Sequence, residues 1–140
     1  MSKEATSFKL KNALTELDAL FQHIEQFGHS HGLPKKQIFQ INLALDELFT
    51  NIVSYGFPDG NSHWIDFKLR LENNEVVIHI EDNGIPFDPV SAPTSGSVPP
   101  LEKCKIGGLG LHIVKKMMDE IAYERRGDKN IITIKKLVRP

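Results

Sequence analysis

Apolar and polar residues alternate through Ser7-Phe-Lys-Leu-Lys11, a period of two that predicts a short half-buried strand. From Ala13 the period lengthens. Leu14, Leu17, Leu20, Phe21, Ile24 and Phe27 recur at helical spacing, with Asn12 placed to cap the helix and Gly28 with Gly32 placed to stop it. Pro34 suits the first turn of a second helix, whose apolar face is Ile38, Ile41, Leu45, Leu48 and Ile52. That helix is expected to end near Tyr55-Gly56, with Gly56 left-handed and Pro58 blocking continuation.

Residues 64–71 and 76–81 read as strands joined through Asn73-Asn74, two residues that tolerate the positive φ of a tight hairpin, so an antiparallel pair is expected. Leu109, Leu111, Ile113, Val114, Met117 and Met118 predict a third helix, from a run of glycines to about Asp119. Residues 121–125 and 131–135 form a last strand pair around Gly127. Strands and helices are partly segregated along the chain. That favours an α+β fold, a two-layer α/β sandwich with a mixed, mostly antiparallel sheet and three helices on one face. At 140 residues and 40% hydrophobic content, a single domain over residues 1–140 is expected. Beyond Pro89, Val90 to Pro100 shows no periodicity, and loops this long are usually functional or disordered.

The formal net charge is -1 with 25% charged residues, which supplies no overall positive field for nucleic acid or anionic lipid. No stretch reaches the roughly 18 apolar residues of a membrane span, and no apolar signal core follows Met1, so a soluble cytoplasmic protein is expected. A single cysteine, Cys104, rules out an internal disulfide framework. His29 and His31 have no cysteine or carboxylate cluster beside them in sequence and read as solvated residues at a helix end.

Three segments carry chemistry. Glu47 and Asn51 stand one helical turn apart and project from one face of the second helix. An amide oxygen suits one position around Mg²⁺, an ion that takes most of its ligands from water and phosphate, and a carboxylate one turn away can accept a proton near a γ-phosphate. In Asp82-Asn-Gly84-Ile-Pro-Phe87-Asp-Pro89 a carboxylate ends a strand and is expected at a sheet edge. An ionised carboxylate is an acceptor for the exocyclic amine of adenine, and Gly84 lets backbone approach a flat base. In Gly107-Gly108-Leu109-Gly110-Leu111 a loop turns into a helix, so backbone N–H groups can face phosphate oxygens with the helix dipole behind them. Taken singly, the three read as a polar helix stripe, a strand-ending turn and a flexible helix entry. Neither a dinucleotide fingerprint nor a P-loop fits the glycines.

Together and in this order, the segments resemble the N, G1 and G2 boxes of the anti-sigma factor serine/threonine-protein kinase family, within the histidine kinase-like group with the Bergerat-type ATP-binding fold. The likeness runs from the second helix onward and includes residues 123–127 and 130–135. The resemblance implies ATP or ADP and Mg²⁺ as ligands, Asn51 as the Mg²⁺ ligand and Glu47 as the catalytic carboxylate. It implies that Asp82 reads adenine, with Gly84, Phe87, Gly107, Gly108, Leu109, Gly110 and Leu111 around the nucleotide. Residues 88–108 become the ATP lid, with Lys103 and Lys105 near the phosphates. Family members phosphorylate a STAS-domain anti-anti-sigma protein, many sequester a sigma factor, and a homodimer is common.

Relatives often have an arginine where this chain has Lys103, and an ammonium cannot make the forked phosphate contact of a guanidinium. A nucleotide-gated protein-binding module without phosphotransfer is therefore the alternative. His23-Ile-Glu25 is not followed by the proline of a sensor kinase's phosphoacceptor helix, which disfavours autophosphorylation.

Overall fold

The computed structural model describes residues 5–88 and 109–139. Strand β1 (Thr6–Lys11) leads through a short 3-10 turn to helices α1 (Leu17–Ser30) and α2 (Lys35–Tyr55). Strands β2 (Trp64–Glu72) and β3 (Glu75–Asp82) precede helix α3 (Leu109–Met117), and β4 (Glu120–Arg126) and β5 (Lys129–Leu137) close the described chain. The five strands form one sheet in the order β1-β2-β3-β5-β4. Where a mixed sheet was expected, all four described pairings are antiparallel, because β2–β3 and β4–β5 are hairpins and β5 inserts beside β3.

Each hairpin follows from its turn residues. Asn73 and Asn74 adopt φ of 53° and 62°, the mirror-image turn whose twist matches the flanking strands, and Gly127 takes φ of 62° in the second hairpin. Along the strands, alternation puts Ile65, Phe67 and Leu69 of β2, Val76, Ile78 and Ile80 of β3, and Ile132 and Ile134 of β5 in the core. They share that core with Leu20, Ile24 and Phe27 of α1 and Ile38, Ile41, Leu45, Leu48 and Ile52 of α2. Each such side chain contributes about 1.5–3 kcal/mol on full burial, far more than a helix propensity difference, so packing holds these helices in place.

Three local expectations are corrected. Asn12 caps no helix; its side chain bonds Asn61 O at 3.1 Å and accepts from His63 N at 2.8 Å, fastening the start of α1 to the entry of β2. Gly28 does not stop α1, since the helix runs to Ser30 and Gly32 turns the chain with φ of 67°. Its real constraint is close packing, because a Cβ at Gly28 would lie 2.5 Å from Ile38 Cδ1 of α2. Gly56 ends α2 in the right-handed region, φ -81° and ψ -19°, so left-handed freedom is not what it supplies.

The other face of the sheet carries no helix among the described residues. Lys9, Asp66, Lys68, His79, Glu81 and Arg126 there line a shallow cavity of about 730 Å³ with mixed charge. No described helix is long and apolar enough to cross a membrane.

Candidate nucleotide site

Glycine shapes the first contact. The carbonyl of Gly56, just past α2, accepts from Ile85 N at 2.9 Å, so the end of α2 is tied to the segment leaving β3. A Cβ on Gly84 would lie 2.4 Å from Gly56 O, which makes glycine necessary at this crossing for a steric reason. The tie brings Asn51, Asp82 and Phe87 to one cleft, completed by Ile52, Gly56, Ile85, Asn130 and Ile132. As folded, that cleft encloses about 10 Å³, roughly the room of one water molecule.

Asp82 does not stand at a sheet edge as its sequence context suggested. It ends β3, the central strand, on the helix-covered face, and is 4% exposed. Its Oδ1 accepts from Gly84 N at 2.8 Å and from Asn130 Nδ2 at 3.0 Å. Burial pushes the carboxyl above its ordinary range, opposed by the hydrogen bonds from Asn130 and Gly84 and by the charge of Arg125. The described bonds fall on Oδ1. Oδ2 accepts none of the described bonds.

On α2, the Asn51 amide donates to Glu47 O at 2.9 Å, which directs the nitrogen back along the helix. Asn51 is buried, whereas Glu47 is only partly so. Burial first, and the charge of Asp46 second, push the Glu47 carboxyl above the usual range, which makes it a stronger base once ionised. One amide oxygen, with one carboxylate a helical turn away, is a sparse donor set. It fits Mg²⁺, which keeps most of its shell from water and phosphate, better than Ca²⁺ or a zinc ion that needs a protein cage.

Leu109, Gly110 and Leu111 lie in the first turn of α3. Lys103, Lys105, Gly107 and Gly108, and the expected lid after Asp88, lie outside the described residues.

Residues missed in the sequence complete the cleft. Asn130 is 3% exposed; its Nδ2 reaches Asp82 and Ile85 O at 2.9 Å, and its Oδ1 accepts from Tyr123 OH at 2.6 Å and Arg125 Nη1 at 3.1 Å. Arg125 Nη1 also donates to Gly84 O at 2.8 Å. The register that sets Asn130 opposite Asp82 joins positions 48 residues apart, and no local spacing announces it.

Residues 10–136 match the family model described as histidine kinase-like ATPase domain. The chain is similar to serine/threonine-protein kinase BtrW of Bordetella bronchiseptica, 32% identical over 96% of this chain and 94% of that one. It is 27% identical to the anti-sigma F factor of Clostridium perfringens, over 73% of this chain and 74% of that protein. The serine-protein kinase RsbW of Halalkalibacterium halodurans is 28% identical over 72% of this chain, a match spanning 62% of the longer relative. Among solved structures, that of the RsbU and RsbW domains of Rv1364c from Mycobacterium tuberculosis superposes with a TM-score of 0.69. That superposition covers 98% of this chain and 33% of the other, at 15% identity, and shows a shared fold. With the ordered boxes, the antiparallel sheet and these matches in agreement, the chain belongs to the histidine kinase-like ATPase domain family and, within it, to the anti-sigma factor serine/threonine-protein kinases.

Proposed function

We propose that this protein transfers the γ-phosphoryl group of ATP to a serine or threonine of a STAS-domain anti-anti-sigma protein and sequesters a sigma factor, acting as a cytoplasmic partner switch. The observation that carries the reading is the convergence of Asn51 and Asp82, from different elements, on one cleft. In this reading Asp82 Oδ2 accepts from the adenine amine and Gly84 leaves room beside the base. Asn51 gives one oxygen to Mg²⁺, which when bound would neutralise phosphate charge. Glu47 accepts the proton of the attacking hydroxyl as the oxygen–phosphorus bond forms and ADP leaves with the bridging oxygen. Gly107, Gly108 and the first turn of α3, with Lys103 and Lys105, hold the phosphates.

The test is incubation of the full chain with labelled ATP, Mg²⁺ and candidate STAS proteins, reading transfer and complex formation together. Label on the STAS protein, lost when its acceptor serine or threonine becomes alanine, is the expected result. The lysine at position 103 favours a second reading, a nucleotide-gated binding module. Tight, ATP-dependent partner binding without label transfer selects the module.

A further inference from the structure

Hydrogen bonds behind Asp82 have a direction, and that direction starts at Arg125. A guanidinium has donors and no acceptor. Arg125 Nη1 donates to Asn130 Oδ1 at 3.1 Å, and Tyr123 OH donates to the same oxygen at 2.6 Å. With its oxygen taken by two donors, Asn130 turns its nitrogen to Asp82 Oδ1 and to Ile85 O. Gly84 N gives Oδ1 a second donor, while Gly84 O is itself held by Arg125 at 2.8 Å. A carboxyl oxygen facing two N–H groups has no room for its own proton. Oδ1 is therefore held as an acceptor while the guanidinium stays, and the same donors favour the ionised carboxylate, whose Oδ2 is then an acceptor as well.

We propose that Arg125 and Asn130 are positioning residues that set the base specificity of this site by fixing Asp82 as a hydrogen-bond acceptor, so that it takes a purine with a 6-amino group and rejects a 6-oxo purine. The proposal rests on the nucleotide reading above and adds to it two residues that need not touch the ligand. Asn130 reaches Asp82 from β5, the strand beside β3, whereas Arg125 acts from β4, one strand further, through Asn130 and the Gly84 carbonyl, with Tyr123 of β4 beside it. Glu81 on β3 opposes the ionised form, and α2 presents the uncharged Asn51 to the same cleft. The clamp also holds the Gly84-Ile85 backbone against the end of α2. Losing it therefore disturbs acceptor polarity and base access together.

ADP and IDP differ at position 6 of the base, amine against carbonyl, so their affinity ratio isolates this contact. Wild-type protein should prefer ADP by about tenfold or more, the equivalent of one unpaired buried group. Asn130→Asp replaces the amide nitrogen by an oxygen in the same volume. Two carboxyls then face each other in place of a donor and an acceptor, which disfavours the ionised form of Asp82; once protonated it can present a donor at Oδ2, and the ratio should fall to about twofold or less. Arg125→Met keeps the side chain's bulk, removes the donors and should lose about threefold of the ratio. Arg125→Lys, whose ammonium also only donates, should restore most of it. Thermal unfolding of each variant checks the fold; if Asn130→Asp does not fold, the Arg125 pair decides. Equal losses of ADP and IDP binding, with the ratio kept, would make the clamp structural and overturn the proposal. A wild type that binds both nucleotides equally would instead remove Asp82 as base reader, and the clamp's role with it.

Discussion

Two polar clusters border the same helix, one buried around Asp82 and one exposed around Asp119, and their aspartates are pulled in opposite directions. Beyond the N-terminal end of α2, Asp119 accepts from Leu137 N at 2.7 Å and is gripped by Arg139 at 3.3 and 3.4 Å. The backbone donor, and after it Arg139, hold its carboxyl below the ordinary range. Nearby, Gln37 donates to Leu137 O and accepts from Arg139 N, and Lys136 donates to Met117 O at the end of α3. Toward the C-terminal end of α2, Asp82 has two donors on Oδ1, yet burial still raises its carboxyl. The first cluster joins β5, α2 and α3 through internal bonds. In the second, burial opposes the ionised form of a carboxylate that lines a cleft, the pattern expected where a fold prepares a place for a ligand.

The largest effect that sharpens this contrast is at Glu47. Glu47→Gln should leave Mg²⁺–nucleotide affinity near wild type and lower phosphate transfer by about 10²–10⁴-fold, the usual range for general-base assistance. Calorimetry beside a single-turnover transfer assay separates the two quantities, and wild-type transfer in this variant would end the catalytic assignment.

Next in size is Asp82→Asn. The new amide can keep its oxygen on Gly84 N and Asn130 and place its nitrogen where Oδ2 stood, exchanging an acceptor for a donor. Preference should then invert from ADP to IDP, a change of about tenfold or more in the ratio, while the nucleotide-free protein melts at a higher temperature because no charge is buried. Retained ADP preference would show that Oδ2 does not face the base.

Breaking the other cluster should reverse that pattern. Gln37→Ala strips partners from Leu137 O and Arg139 N and should cost about 1–3 kcal/mol of stability with the ADP to IDP ratio unchanged. Chemical denaturation and nucleotide titration on the same sample test it. A shift in the ratio would show that the two clusters are coupled through α2.

Smallest is the pH dependence, and its sign differs between the aspartates. A carboxyl raised in the folded state holds protons that the unfolded chain has released. Its contribution to stability therefore falls as pH rises from the ordinary carboxylate range through the folded value. Asp82 is that case. For Asp119, depressed on folding, stability is present above the ordinary range and is lost as pH falls through the folded value. Melting curves across acidic pH, with Asp82→Asn and Asp119→Asn each subtracted from wild type, should give slopes of opposite sign. Parallel slopes would mean that burial does not dominate at Asp82.

Period and turn chemistry were enough to read the five strands and three α-helices of the described residues, because each rests on local contacts: alternation in β2, the 3.6-residue face of α2, the paired asparagines at 73 and 74. Three candidate segments, Glu47 with Asn51, Asp82 to Phe87, and the glycines at the entry to α3, could be singled out for the same reason, as clusters of unusual residues at fixed spacing. What the sequence alone could not contain was pairing at long range. Burial of Asp82 in the central strand depends on β5 inserting between β3 and β4, a choice made by the packing of whole strands. That choice placed Asn130 and Arg125 behind the carboxylate, while the meeting of α2 with the end of β3 set Gly84 against the Gly56 carbonyl. One-dimensional pattern thus determined which groups the protein has to offer. Tertiary structure decided which of them face each other, since hydrogen-bond partners are set by distances in space that chain separation does not encode.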